Sequence, residues 1–122
     1  MAFEEQTLSD FIEAKSAASE LLRSEGVKTR IDVSFEEALC MQAISDLLQV
    51  RTGFYGLEII DTVEGNSGSI YPLLRRFENP YRITISSLED ATYAHSRNRP
   101  ARREYMPTEF GKTVFGLFIP RK

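Results

Sequence analysis

The sequence predicts an α+β fold, mostly α, on three observations. Before residue 79, apolar residues recur at steps of three and four, the period of helices that bury one face. After it, Ile83-Thr84-Ile85-Ser86 alternates apolar and polar as a half-buried strand does, with Arg103-Glu104-Tyr105-Met106 as its partner strand. The 122 residues, 42% hydrophobic and 27% charged, have the size and composition of one ordinary globular domain.

Leu8, Phe11, Ile12, Lys15, Ala18, Leu21 and Leu22 lay out a first amphipathic helix, with Ser9 as its N-cap and Gly26 just past its end. A connector over 27–33 comes next, which divides the chain into an N-terminal dimerisation helix with its connector (1–33) and a second unit (34–122). Ser34-Phe35-Glu36-Glu37 satisfies the capping-box pattern and starts a second helix. Phe35, Ala38, Leu39, Met41, Ala43, Ile44, Leu47 and Leu48 give that helix a wide apolar face, and Arg51-Thr52-Gly53 turns the chain. Leu57, Ile59, Ile60 and Val63 mark a short third helix, closed by the turn residues Gly65-Asn66-Ser67-Gly68.

Ile70, Leu73, Leu74 and Phe77 fall at i, i+3, i+4 and i+7 and form the buried stripe of a fourth helix. Ser69 is its expected N-cap, which sets Pro72 at N3, where a missing amide hydrogen costs nothing. The opposite face carries Tyr71, Pro72, Arg75, Arg76 and Asn79, and Pro80 ends the helix. Between the two strands, Leu88 to Arg102 reads as a long polar connection and a mobile arm. Thr108-Glu109 starts a short C-terminal helix over 109–119. Three helices, the last two joined by a tight glycine turn, then a hairpin with arginines in its loop, match the plan of a winged helix-turn-helix. To that plan the chain adds an N-terminal and a short C-terminal helix.

The net charge of -3 hides an asymmetry: residues 1–69 hold 5 basic and 13 acidic side chains, a balance of -8, and residues 70–122 hold 10 and 5, a balance of +5. Because steering depends on the local field, a basic half on an acidic chain remains able to bind phosphate. One cysteine, Cys40, and one histidine, His95, exclude a disulfide framework, a CxxC pair and a HExxH site. Cys40 reads as a small core residue. Glu36-Glu37 and Glu89-Asp90 read as a cap and a polar loop, and no Walker or dinucleotide glycine loop occurs. No enzyme, cofactor or metal is therefore expected. With no apolar run near the roughly 18 residues of a membrane span and acidic residues directly after Met1, the expected place is the cytoplasm, and no membrane partner is expected.

Gly68-Ser69-Ile70-Tyr71-Pro72-Leu73-Leu74-Arg75-Arg76-Phe77-Glu78 resembles GSIYPALRRLE, the recognition-helix signature of PadR-like transcriptional regulators. Tyr55-Gly56-Leu57-Glu58-Ile59 is similar to the family's HGYEI, and Arg102 through Gly111 resembles its RRKYYRLTEAG segment. The chain departs from the family at Tyr55 and Leu57, at Asn79-Pro80-Tyr81 in place of a glycine turn, and in a longer loop from Ser87 to Pro100. Only eleven residues come after Gly111, so the C-terminal helical domain of most members is expected to be absent.

The resemblance implies a sequence-specific double-stranded DNA-binding regulator, a repressor acting as a homodimer on an inverted repeat. Its expected DNA contacts are Ser69, Tyr71, Pro72, Arg75, Arg76, Asn79, Arg97, Arg99, Arg102 and Arg103. Leu8, Phe11, Leu21, Leu22, Phe115 and Phe118 exceed what one small core readily covers and are expected at the dimer interface. A small-molecule effector stays unspecified, and the alternative is a winged-helix module that docks a protein partner without sequence-specific DNA binding.

Overall fold

The computed structural model of the chain describes residues 2–27 and 32–119, with side chains from Thr7 onward. Most of the connector expected at 27–33, and Pro120, lie outside the described residues. The fold is α+β and mostly helical: α1 (Ala2–Ser24), α2 (Phe35–Leu48), β1 (Phe54–Tyr55), α3 (Gly56–Val63), α4 (Ser67–Glu78), β2 (Thr84–Leu88), α5 (Ala91–Ser96), β3 (Arg103–Pro107) and α6 (Glu109–Gly116). The strands form one antiparallel sheet in the order β1-β3-β2, with Phe54 opposite Tyr105 and Ile85 opposite Met106. The two-residue β1 was not expected, because a strand that short has no periodicity to read.

Helix α1 runs without proline or glycine from Ala2, so Ser9 lies inside it and does not cap it. Its C-terminus closes where expected. Gly26 takes φ +77°, its amide donates to the Arg23 carbonyl and the Val27 amide to that of Leu22, a Schellman pair sealed by the buried Leu22 and Val27 side chains. Helix α2 starts on the expected capping box: the Glu37 amide donates to Ser34 Oγ at 3.0 Å, and the Ser34 amide to Glu37 Oε1 at 2.9 Å.

Helix α4 begins two residues before the expected Ser69 cap. Asn66 is the N-cap, in extended backbone, and its side chain accepts the Ser69 amide at 3.0 Å. Pro72 therefore sits in the second turn and not at N3, where its missing amide leaves the Gly68 carbonyl without an internal donor. Gly68 is exposed, so water can take that position. The expected mobile arm is also corrected, since it contains α5, capped by Asp90, whose side chain accepts the Tyr93 amide, and seated by the buried Ala94.

One apolar cluster joins Ala14, Ala18 and Leu22 of α1 to Met41 and Ile44 of α2, Ile59 of α3, Leu73, Leu74 and Phe77 of α4, and Val114 and Phe115 of α6. The first helix thus shares its core with the other helices. This corrects the expected dimer face: Leu22, Phe115 and Phe118 are buried inside the protein's own core, Leu21 packs against it, and Phe11 sits edge-on to Phe35 with centroids 5.5 Å apart. Helix α1 folds back over the domain, so its apolar positions find partners within the chain. Of the six expected residues only Leu8 is exposed.

Gly111 begins the tight approach of α6 to β2. A Cβ at this position would overlap the Ile83 carbonyl, which also accepts the Thr108 amide, so nothing can move aside without breaking backbone pairing. Gly111→Ala is expected to destabilise the fold by about 1–3 kcal/mol or more through overpacking, read as a lower urea midpoint at unchanged slope.

Candidate nucleic-acid interface

Helix α4 divides cleanly into two faces. Ile70, Leu73, Leu74 and Phe77 are buried, and the expected contact residues lie on the remainder. Ser69 is partly exposed, and its hydroxyl donates to the Asn66 carbonyl at 3.2 Å, within the cap. Tyr71 is half-buried with its ring against the start of α3: a Cβ on Gly56 would come within 2.5 Å of Tyr71 Cε1, so the glycine makes room for the ring. Pro72 is half-buried, and Asn79 is exposed at the C-cap.

The two adjacent arginines have separate fates. Arg75 is exposed and makes no ion pair among the described residues. Arg76 Nε lies 3.1 Å from Oε2 of Glu37, a carboxylate only 3% exposed, so Arg76 is first a structural cation. The same Glu37 oxygen accepts the Tyr81 hydroxyl at 2.9 Å. Burial, then the hydrogen bond to Glu37, push the Tyr81 phenol well above its ordinary range.

The hairpin arginines are likewise held by neighbours that sequence reasoning passed over. Glu89 takes Arg99 on both oxygens, Nη2 to Oε2 at 2.8 Å, accepts the Arg102 amide at 3.3 Å and has Arg102 Nη2 at 3.7 Å. Arg102 also stacks over Tyr55, its guanidinium carbon 4.2 Å from the ring centroid, and Arg97 lies 4.3 Å over Tyr93. Arg103 Nη1 donates to Ser86 Oγ across the strand pair at 3.0 Å. Arg99 is accordingly turned inward, whereas Arg97, Arg102 and Arg103 keep exposed surface. One sequence signal did mark this region: Asp90 stands three residues before Tyr93, the N-cap spacing that opens α5.

Tyr71, Arg75 and Glu78 of α4 face Arg103 and Tyr105 of β3 across a cleft of about 450 Å³. The exposed face of the helix and the cations of the hairpin therefore border one surface. Cys40 is fully buried on α2, and burial, reinforced by Glu36 and Glu37, raises its thiol to about 12, so it stays protonated as a core residue. His95 is exposed on α5. Among the described residues no cluster of His, Cys, Asp or Glu could hold a metal ion, and no helix is long and apolar enough to cross a membrane.

Comparison with protein-family models, curated proteins and solved structures finds no match to this chain.

Glu89 gives the hairpin an acid limit. The hydrogen bond from Arg99, first among its causes, lowers its carboxyl to about 2, so its folded value lies below its unfolded one. Its contribution is present above the unfolded value near 4.3 and is lost as pH falls toward 2. The amides of α5 are expected to keep their dispersion at pH 5 and to lose it between about pH 4 and 2, monitored by NMR; an α5 already lost at pH 5 contradicts this anchor.

Proposed function

We propose that the protein is a sequence-specific double-stranded DNA-binding regulator of winged helix-turn-helix type, resembling PadR-like regulators in its α4 signature. One observation carries the reading: the solvent face of α4, with Tyr71 and Arg75, and the hairpin cation Arg103 border the same cleft. Helices α3 and α4 are joined by a short turn through Glu64, which adopts φ 55°, and the two helices pack on each other. In such a unit the second helix enters a major groove roughly 12 Å wide while the hairpin reaches flanking phosphates. Arg75 is the base-edge reader and Arg97, Arg102 and Arg103 are phosphate contacts. Arg76 and Arg99 support the surface through Glu37 and Glu89.

Repression results from occupancy of the operator alone. Self-association uses the apolar side chains that the core leaves outside, Leu8 and Ile12 on α1 with Phe35 and Leu39 on α2, all more than a third exposed. A two-fold pair then reads half-sites about one helical turn, roughly 34 to 36 Å, apart.

Salt distinguishes this reading from a protein-docking module. Each phosphate contact contributes about -0.9 to the slope of log affinity against log salt. Arg103→Ala is expected to flatten that slope by about one and weaken all duplexes alike, and Arg75→Ala to cost roughly 1 to 3 kcal/mol on the preferred duplex and relax one position. Fluorescence anisotropy with labelled duplexes at salt concentrations spanning the physiological value reads both. Salt-independent binding, or two variants that bind as the parent does, refutes the DNA reading.

A further inference from the structure

The outward face of α4 brings a carboxylate to β3 together with its cation. Tyr71, Arg75 and Glu78 stand at i, i+4 and i+7 along one line of the helix, and Arg103 and Tyr105, two apart on β3, face them across the cleft. Glu78 Oε1 is out of reach of solvent and has no hydrogen-bond partner. Neither Arg75, one turn earlier on the same helix, nor Arg103 across the cleft donates to it, although both are long, exposed donors. A buried acceptor without a donor carries its full desolvation penalty, which an incoming donor would return. The five groups also share one electrostatic environment. Burial, then the charge of Glu78, raises the Tyr105 phenol, against the opposite pull of Arg103 and Arg75.

An occupant therefore has to offer a hydrogen-bond donor to Glu78 and an anion to Arg103, and it lies beside the half-buried Tyr71 ring, the Tyr105 ring being buried and stacked on Phe54. A nucleotide bearing an exocyclic amine has that distribution: the adenine and cytosine amines are donors, whereas uracil and thymine present a carbonyl at the corresponding place. Carboxylate side chains accept from the cytosine amine, guanidinium groups hold phosphate, and aromatic rings give bases a stacking face.

We propose that the cleft between α4 and β3 receives a nucleotide unit carrying an exocyclic amine, with the amine on Glu78, the base against Tyr71, and the phosphate on Arg103. Two sources supply that chemistry, a base edge of a bound duplex and a free nucleotide; for the first, the inference rests on the DNA-binding reading above.

Two arms separate the sources. In one, AMP, CMP and UMP are titrated into the full chain and monitored by amide NMR shifts; in the other, the chain selects from a randomised duplex pool. Both are repeated with Glu78→Met, which removes the acceptor at similar length, and with Glu78→Gln, which keeps an oxygen but not the charge. A free-nucleotide site gives saturable binding in which AMP or CMP exceeds UMP by about tenfold, the worth of one charge-assisted hydrogen bond, and Glu78→Met abolishes the difference. A base-edge site gives no such preference among mononucleotides, but the selected consensus fixes one base pair that becomes degenerate in Glu78→Met while every other position is kept. In either case Glu78→Gln falls between, and Glu78→Met melts no lower than the parent because no orphan remains to bury. The inference is overturned if the variants keep both the parent's mononucleotide preference and its consensus, or if Glu78→Met lowers the melting temperature with recognition unchanged. A parent chain that enriches no duplex refutes the DNA reading by itself, and the mononucleotide arm then decides the cleft alone.

Discussion

The buried carboxylate of Glu37 is the interaction on which the arrangement of the helices depends. It lies at the start of α2 and receives the Ser34 amide, the Tyr81 hydroxyl and Arg76 Nε, three donors from three parts of the chain. Ser34 makes it part of a helix cap, Tyr81 ties it to the turn after α4, and Arg76 ties it to α4 itself. A charge taken out of water must be paired and hydrogen-bonded, or it costs several kcal/mol, on the order of the whole margin of stability. The orientation of α4 against α2 is thus set by a polar requirement as well as by the apolar stripe of Ile70, Leu73, Leu74 and Phe77. Stripes tolerate small rotations, but a bonded guanidinium on a buried carboxylate does not.

That requirement also sorts the charges. Of two neighbouring arginines on α4, the one toward α2 is consumed by Glu37, and its neighbour Arg75, about 100° further round the helix, is left to the solvent face. The same division recurs in the hairpin, where Glu89 binds Arg99 and leaves Arg102 stacked and Arg103 outward. A count of basic residues in the second half of the chain therefore overstates the charge offered to a partner. Glu37 and Glu89 cancel part of it on site.

Local chemistry was legible in the sequence at several points where the decisive partner lay within four residues and had no competitor. The Ser34 capping box, the Gly26 closure of α1, the stripe of α4 and the Thr108 start of α6 all derive from spacing alone. Competition between nearby candidates was not legible: Asn66 and Ser69 are both good caps, and only the backbone shows that Asn66 takes the position, which moves Pro72 into the helix. Helix α5 was hidden because its six residues are too few for a periodic stripe. Tertiary partners were the other blind spot. Nothing near Arg76 in sequence points to Glu37, thirty-nine positions away, and nothing near Leu22, Phe115 or Phe118 tells that they fill one another's core and not a second copy's.

The anchoring of the hairpin bears on how it can bind. Four arginines between 97 and 103 would repel one another and sample many directions if the segment were a free arm. Glu89 neutralises one of them, fixes the Arg102 backbone and, with Asp90, begins α5, so the loop closes on a carboxylate at its base. Tyr55 and Tyr93 then hold Arg102 and Arg97 by their ring faces, which restrains the side chains and leaves the donors of Arg97, and those of Arg102 turned away from Glu89, to a second partner. A cation held in place loses less freedom on meeting an anion, roughly 0.5–1.5 kcal/mol less per ordered side chain. The acidic residues of this hairpin therefore favour anion binding, because what they subtract in charge they return as fixed position.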